Sequence, residues 1–475
     1  MKKSKIKMNR LLAITFAGTQ FAGAAVAADD TSTNNPVDIE TLKQQIQTLS
    51  EEVRVLQRQQ QEDEDTSTKA AANSPHLSIG ADGASFSSAN TNFVYSLHGL
   101  VQVDSRTFFQ NGRTAGIDGF LLRRARPIFT GTLYHNFDFN FTPDFGGSTV
   151  QIFDAYLNYH YNPDFQLQAG KYKPPVGLEA LQADNYVFFN ERSIATDLVP
   201  NRDVGVELHG DVDDHLGGTV SYAAGIFNGL PDYVSTTVNT PIDNDVAFAG
   251  RIFALPFKKT SLTPLQGLGI GVSGSYEHDD TNAVAAALTP GYTTDGQEKM
   301  FTYAGSTVPN GAHWRVSPQG YYYYGPFGLM GEYVVSDQHV TDITTAKSAD
   351  IDNTAWEVSA GWVLTGENDT YNGVVPNHPF DPLNGGFGAW QVVGRYAELD
   401  IDKDAFPTFA SAATAAGPTS ATGAREWSVG LNWYLNKDLR ANVSFSHTWF
   451  TGDANGNAVT KQPENVLFTR MQVAF

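Results

Sequence analysis

Hydrophobic and polar residues alternate along most of this chain. In Val150–Tyr161, Phe153, Ala155, Leu157, Tyr159 and Tyr161 share one face, while Asp154, Asn158 and His160 share the other. Trp427, Val429, Leu431 and Trp433 oppose Glu426, Ser428, Gly430 and Asn432, and Leu439, Ala441, Val443 and Phe445 oppose Arg440, Asn442, Ser444 and Ser446. A period of two belongs to a β-strand, whose successive side chains point to opposite faces. About sixteen such segments of roughly ten residues fit between Phe93 and Phe475, an even number, as closure of a membrane barrel requires. Asn162-Pro163-Asp164, Gly325-Pro326 and Asn436-Lys437-Asp438 read as tight periplasmic turns. The long connections Asp279–Gly311 and Gly366–Gly386 read as outer loops. Tyr321–Tyr324, Trp433-Tyr434 and Trp449-Phe450 stand at segment ends, where aromatic girdles meet the membrane interface. Hydrocarbon offers no partner to a backbone N–H or C=O, so a sheet in that setting must close on itself.

The period differs before Phe93. Lys2, Lys3, Lys5, Lys7 and Arg10 precede an apolar run from Leu11 to about Ala25, and Ala25-Val26-Ala27 follows as a small-x-small cleavage site. This is the pattern of a secretory signal peptide over 1–27. Beyond it, no run of about 18 apolar residues remains to form a membrane-crossing helix. Ile39, Leu42, Ile46, Leu49, Val53 and Leu56 follow heptad spacing, and Asp38 can cap the helix they imply. A periplasmic coiled-coil segment is therefore expected over 28–61, and an acidic, then Ser/Ala/Asn/Gly-rich linker over 62–92, with a local hairpin near Leu77–Phe86. The expected fold is all-β: a transmembrane antiparallel β-barrel of about 16 strands over 93–475, preceded by a short N-terminal coiled-coil helix.

Charge and chemistry narrow the function. The chain carries 31 Lys and Arg against 51 Asp and Glu and no Cys. Such acidity argues against a nucleic-acid partner, and the absence of Cys excludes disulfides and thiolate sites. Gly269-Ile270-Gly271-Val272-Ser273-Gly274 matches G-x-G-x-x-G, but no helical pattern follows, so it reads as a strand. Asp400, Asp402 and Asp404 resemble the start of a calcium loop, yet Ala405 stands where the sharp turn needs Gly. No catalytic constellation is evident, and neither enzymatic activity nor a cofactor is expected. The informative cluster is Leu122-Arg123-Arg124-Ala125-Arg126. Strand parity turns Arg124 and Arg126 into the lumen, with Asp154 as a lumen partner, and leaves Arg123 facing lipid unless a bulge turns it. Arg315 and Arg395 also have lumen parity. Guanidinium groups so placed can meet small inorganic anions with paired hydrogen bonds, or can serve as a charge ladder lining any pore.

FLLRRARPIFTG, QIFDAYLNYHY and QAGKYKPPVGLE, followed by WVLTGE, GAWQVVGRYAELDI and SVGLNWYLNKDLRANVSFSH, resemble the phosphate-selective porin O and P family across nearly all of the chain after Phe93. The resemblance implies an outer-membrane homotrimer of 16-stranded barrels, each narrowed by an inward-folded third loop. It assigns the paired arginines to Arg123 and Arg124 and the supporting aspartate to Asp154. The loop, running to about Asp203, would contribute Glu191, Arg192, Asp197 and Arg202. Two positions depart: Ala180 stands where a lysine follows Gly-Leu-Glu, and Asp138 replaces a lysine on the third strand. The barrel segment is itself acidic, with 22 basic and 40 acidic residues, and outer-loop acidity would suit bridging to lipopolysaccharide by divalent cations. Three functions stay open: a channel for phosphate or polyphosphate, a general-diffusion porin, and an envelope tether acting through the coiled coil.

Overall fold

The computed structural model describes residues 39–72, 74–80, 83–109, 116–147, 149–214, 217–229, 231–232, 245–279, 291–411, 420–452 and 462–475. It forms two units, one ending at Ala72 and one from Asn73 to Phe475. The signal peptide and the Asp38 cap lie outside the described residues.

The first unit holds one helix, α1 (Ile39–Ala72), of 34 residues, about 51 Å long at 1.5 Å per residue. It continues beyond 61, so the expected linker begins as helix. Ile39, Ile46, Leu49 and Leu56 are 60–69% exposed, an apolar seam that α1 cannot bury by itself.

The second unit opens with a hairpin of β1 (His76–Gly80) and β2 (Gly83–Ser87), and β2 pairs with the start of the next strand. This is the hairpin expected near Leu77–Phe86 within the linker, with Leu77 paired to Phe86. Next come β3 (Phe93–Phe108), β4 (Gly119–Leu133), β5 (Phe137–Asp144), β6 (Gln151–Asn162) and β7 (Phe165–Tyr172). They are followed by β8 (Asp203–Asp213), β9 (Thr219–Phe227), β10 (Ala247–Leu255) and β11 (Leu268–Asp279). A separate small hairpin, β12 (Gly291–Thr293) and β13 (Lys299–Thr302), interrupts the series. It resumes with β14 (Thr307–Tyr324), β15 (Phe327–Asp342), β16 (Lys347–Val363) and β17 (Ala389–Asp400). The last are β18 (Gly423–Tyr434), β19 (Leu439–Thr451) and β20 (Glu464–Ala474). Successive members of the series pair antiparallel, and β20 returns to β3 from Val466↔Phe108 to Ala474↔Leu100. That pairing closes a sixteen-stranded barrel.

The alternation dictates which face is wet. Along β19, Arg440, Asn442, Ser444, Ser446 and Thr448 are buried toward the interior, while Val443 between them is 48% exposed. Val101, Leu122, Leu157, Ile252, Val272 and Val429 also point outward and are exposed. An apolar exterior around a polar interior is stable only in a bilayer. The aromatic clusters obey the same parity: Tyr324 is exposed, whereas Tyr323, Tyr434 and Phe450 turn inward, so only part of each cluster can join a girdle. The glycine-rich match is indeed strand β11. A Cβ at Gly269 or Gly271 would lie 2.5 or 2.6 Å from the ring of Phe253, so these glycines make room for an inward aromatic.

One expectation about the connections is corrected. Strand direction places 364–388, between β16 and β17, at the end that carries the tight turns, not among the outer loops. Conversely, β15 and β16 are joined at the loop end by 343–346 alone. The long turn-end segment reaches the lumen: the Tyr371 hydroxyl donates to the Leu178 carbonyl at 2.7 Å, and the Gln182 side-chain amide donates to the Tyr371 carbonyl at 2.7 Å.

Candidate functional site

Residues 173–202, between β7 and β8, fold into the barrel and are almost wholly buried. A backbone placed there must find partners for its polar groups, and the inward faces of the strands supply them. At Gly177, with φ +81°, the chain turns through the left-handed region. Its amide donates to Ser273 Oγ at 3.1 Å, and the next two amides donate to the Glu332 carboxylate at 2.8 and 3.0 Å. Farther along the loop, Arg440 donates to the Val187 and Phe188 carbonyls at 2.8 Å each. Gln102 donates to the Asp184 carbonyl at 3.2 Å and Gln472 to that of Asn185 at 3.1 Å. A 3-10 turn over Ile194–Leu198, capped by Ser193, completes the loop.

Two β-bulges aim side chains at this loop. Between β3 and β4, Gln102 pairs with Arg124 and Val103 with Leu122, so Arg123 is an extra residue on its strand. A bulge of this kind re-aims a side chain, and Arg123 turns to Glu191, donating from Nε at 2.6 Å and Nη2 at 2.8 Å. Between β5 and β6, Thr142 pairs with Asp154 and Pro143 with Ile152, leaving Phe153 extra. Phe153, expected on the lipid face, therefore lines the lumen. The guanidinium carbons of Arg126 and Arg202 lie 3.8 and 4.3 Å from its ring centroid.

These elements enclose a cavity of about 290 Å³. Its lining includes six cationic side chains, Arg123, Arg124, Arg126, Lys173, Arg192 and Arg202, against two carboxylates, Asp184 and Glu191. Asp184 holds Arg126 and Arg192 in close ion pairs and meets Arg124 at 3.3 Å. Arg126 also donates to Asp144 at 2.6 Å. Asp154, expected beside the β4 arginines, instead holds Arg202 at 3.0 Å. Burial by itself would raise the Asp184 carboxyl, but Arg124, Arg192, Arg126 and Lys173 drive it well below the usual carboxylate range. Glu191 follows the same logic: burial opposes ionisation, and Arg123, aided by Arg124 and Arg106, overrides it. Both carboxylates are thus charged, and cations still outnumber anions around the cavity.

The remaining candidates are elsewhere. Arg315 donates to Asp232 at 2.6 Å and to Glu277 at 3.1 Å, with His313 alongside. Arg395 pairs with Asp295 on the β12–β13 turn and meets Glu426 at 3.2 Å and Glu179 at 3.5 Å. Neither lines the cavity, so the structure separates them from the other arginines. Asp197 accepts from the Thr293 amide at 2.6 Å and ties the inward loop to the small hairpin. Ligand atoms of Glu277, Asp279 and His313 converge within 4.8 Å, the arrangement a metal ion would need, but the Arg315 guanidinium already supplies a cation there. Asp402 accepts from the amides of Asp404 and Asp352, at 2.9 and 3.0 Å.

Sequence reasoning missed Lys173, Asp184 and Asp144. Lys173 stands in the KYKPP block, one residue after β7, and its ammonium bonds the carbonyl of Ala180. Lys173 thus brings a cation to the cavity that Ala180 also lines. Burial, reinforced by Arg192 and Arg202, pushes the Lys173 amine well below its ordinary value, against Asp184 and Asp154. Asp138, at the other departure, accepts from Thr132 at 2.7 Å and bonds His160 at 2.6 Å, outside the cavity lining.

A closed barrel with an apolar exterior, a wet interior and an inward loop defines a porin of the outer membrane. The family described as phosphate-selective porin O and P matches residues 96–475, and the chain belongs to it. Porin O of Pseudomonas aeruginosa is 25% identical over 429 residues, covering 83% of this chain and 91% of that protein. Among solved structures, the anion-selective porin from Comamonas acidovorans aligns over 81% of this chain and 100% of that one, with 11% identity and a TM-score of 0.47. The outer membrane channel DcaP of Acinetobacter baumannii aligns over 81% and 98%, also with 11% identity and a TM-score of 0.47.

Proposed function

We propose that this porin is a passive, anion-preferring channel, catalysing no reaction, whose selective station is the cavity between β4, β6 and the inward loop. The observation that carries the reading is the surplus of cations over carboxylates around that cavity, within a barrel segment whose total charge is strongly negative. Net acidity elsewhere does not cancel it, because ion fields act over about a Debye length, roughly 8 Å at physiological salt. Guanidinium groups held rigidly by carboxylates cost little to reorganise when an anion arrives. Phosphate is the candidate solute that the family description suggests, and polyphosphate, a chain of the same groups, is a second candidate. Reversal potentials across a planar bilayer under a KCl gradient test the reading: chloride should permeate in preference to potassium, and a cation-selective channel would overturn it.

The native assembly is proposed to be a homotrimer in contact with lipopolysaccharide. The exposed seam of α1 supports a part in oligomerisation, and deletion of residues 38–61 tests it. Loss of the crosslinked trimer with conductance retained would assign the helix to assembly. Intact trimers and conductance with a detached envelope would favour the tether.

A further inference from the structure

Resting on the anion-channel reading, we infer that the preferred solutes of the cavity are small organic carboxylates with an apolar body rather than inorganic phosphate. Three observations converge. At about 290 Å³, the cavity has room for about ten waters at roughly 30 Å³ each, far more than a five-atom oxyanion fills. Its wall is not uniformly polar: the half-buried ring of Phe153 stands among the cations, backed by buried Ala180, Val199 and Pro200. Phe153 is there only because a bulge rotates it inward, whereas Asp154 and Asn158 of the same strand face the lumen by ordinary parity. Apolar surface gives phosphate nothing, while a hydrocarbon body gains by leaving water there. Finally, Arg124, 5% exposed, meets Asp184 and donates to Gln102 at 2.7 Å but keeps a buried Nε–H with no hydrogen-bond partner among the described residues. One unmet donor and one apolar ring lining the same cavity suit a ligand with one charged head and an apolar tail.

The test is block of the chloride current through the full-length channel in a planar bilayer by acetate, butyrate, hexanoate and inorganic phosphate, each at constant chloride. Half-blocking concentrations should fall along the carboxylate series by roughly two- to fourfold per added methylene, with hexanoate a stronger blocker than phosphate. A series that is flat with chain length, or phosphate as the strongest blocker, would overturn the inference. Phe153→Ser should reduce the chain-length dependence; an unchanged slope would also count against it. The two readings fail separately: cation selectivity sinks the anion channel, whereas anion selectivity with a flat series sinks only the organic-solute inference.

Discussion

Arg315 and Arg395, on β14 and β17, and Arg124 and Arg126, on β4, are all buried residues of the inner barrel wall. Arg315 is matched by Asp232 and Glu277, and Arg395 by Asp295, Glu426 and Glu179. Carboxylates outnumber the guanidinium in both cases, and Asp232 and Asp295 come from connecting segments, so these pairs fasten inward segments to the wall. Around Arg124 and Arg126 the balance reverses, and the excess charge faces open space. Lumen parity alone thus says nothing of role. What decides is whether the acidic partners leave a surplus and whether a solute can reach it.

Arg315→Ala should produce the largest change if this contrast is right. It strands Asp232 and Glu277 in the interior, and breaking a buried pair from one side costs about 3–5 kcal/mol. Thermal unfolding in detergent should show that loss, with chloride selectivity much less altered in the protein that remains folded. The double variant Arg124→Gln, Arg126→Gln should do the opposite. It should cut the anion-to-cation permeability ratio on the order of tenfold, and an unchanged reversal potential would erase the distinction between the two sets.

A smaller effect is expected from pH. Lys173 carries charge below its folded value and loses it as pH rises through that value. Because burial sets the value below that of a free lysine, near about 10.4, anion preference should decline in alkali before exposed lysines titrate. Lys173→Arg should abolish this step, since a guanidinium stays protonated there. Phe153→Leu removes a ring shared by two guanidinium groups, a contact worth about 1 kcal/mol, and should loosen Arg126 and Arg202, read as excess open-channel noise. Tyr371→Phe deletes one hydrogen bond to the inward loop, about 0.5–1 kcal/mol, and should raise the rate of brief closures slightly.

All sixteen barrel strands were legible because lipid and water impose opposite demands on alternate residues. The same regularity hid the site. A parity count assumes one residue per step, so each bulge displaces the residue it adds: Phe153 reads as outward, and Arg123 reads as lipid-facing unless a bulge turns it, which one does. Lys173 and Asp184 carry no parity signal, because a loop has no period to read, whereas Asp144 shares the parity of Asp138, Asn140 and Thr142 on β5 and could have been read inward. Asp154 was rightly sent inward, but its partner is Arg202, some 48 residues away along the chain, a distance no local pattern spans. Length alone points Gly366–Gly386 to the outer side, whereas strand direction, which a length does not carry, sets its end.

The pairing of β20 with β3 bears on how the molecule is made. The inward loop takes hydrogen bonds from Gln102 near the front of the barrel segment and from Arg440 and Gln472 near its rear. Those donors become neighbours only once the last strand has met the first. The contacts of the inward segment with Gln102 and Gln472 are therefore obliged to form late, inside a cylinder already sealed, although its anchors on Ser273 and Glu332 need no closure. Pulse-labelling of loop amides during refolding into detergent should find them protected after those of the early strands.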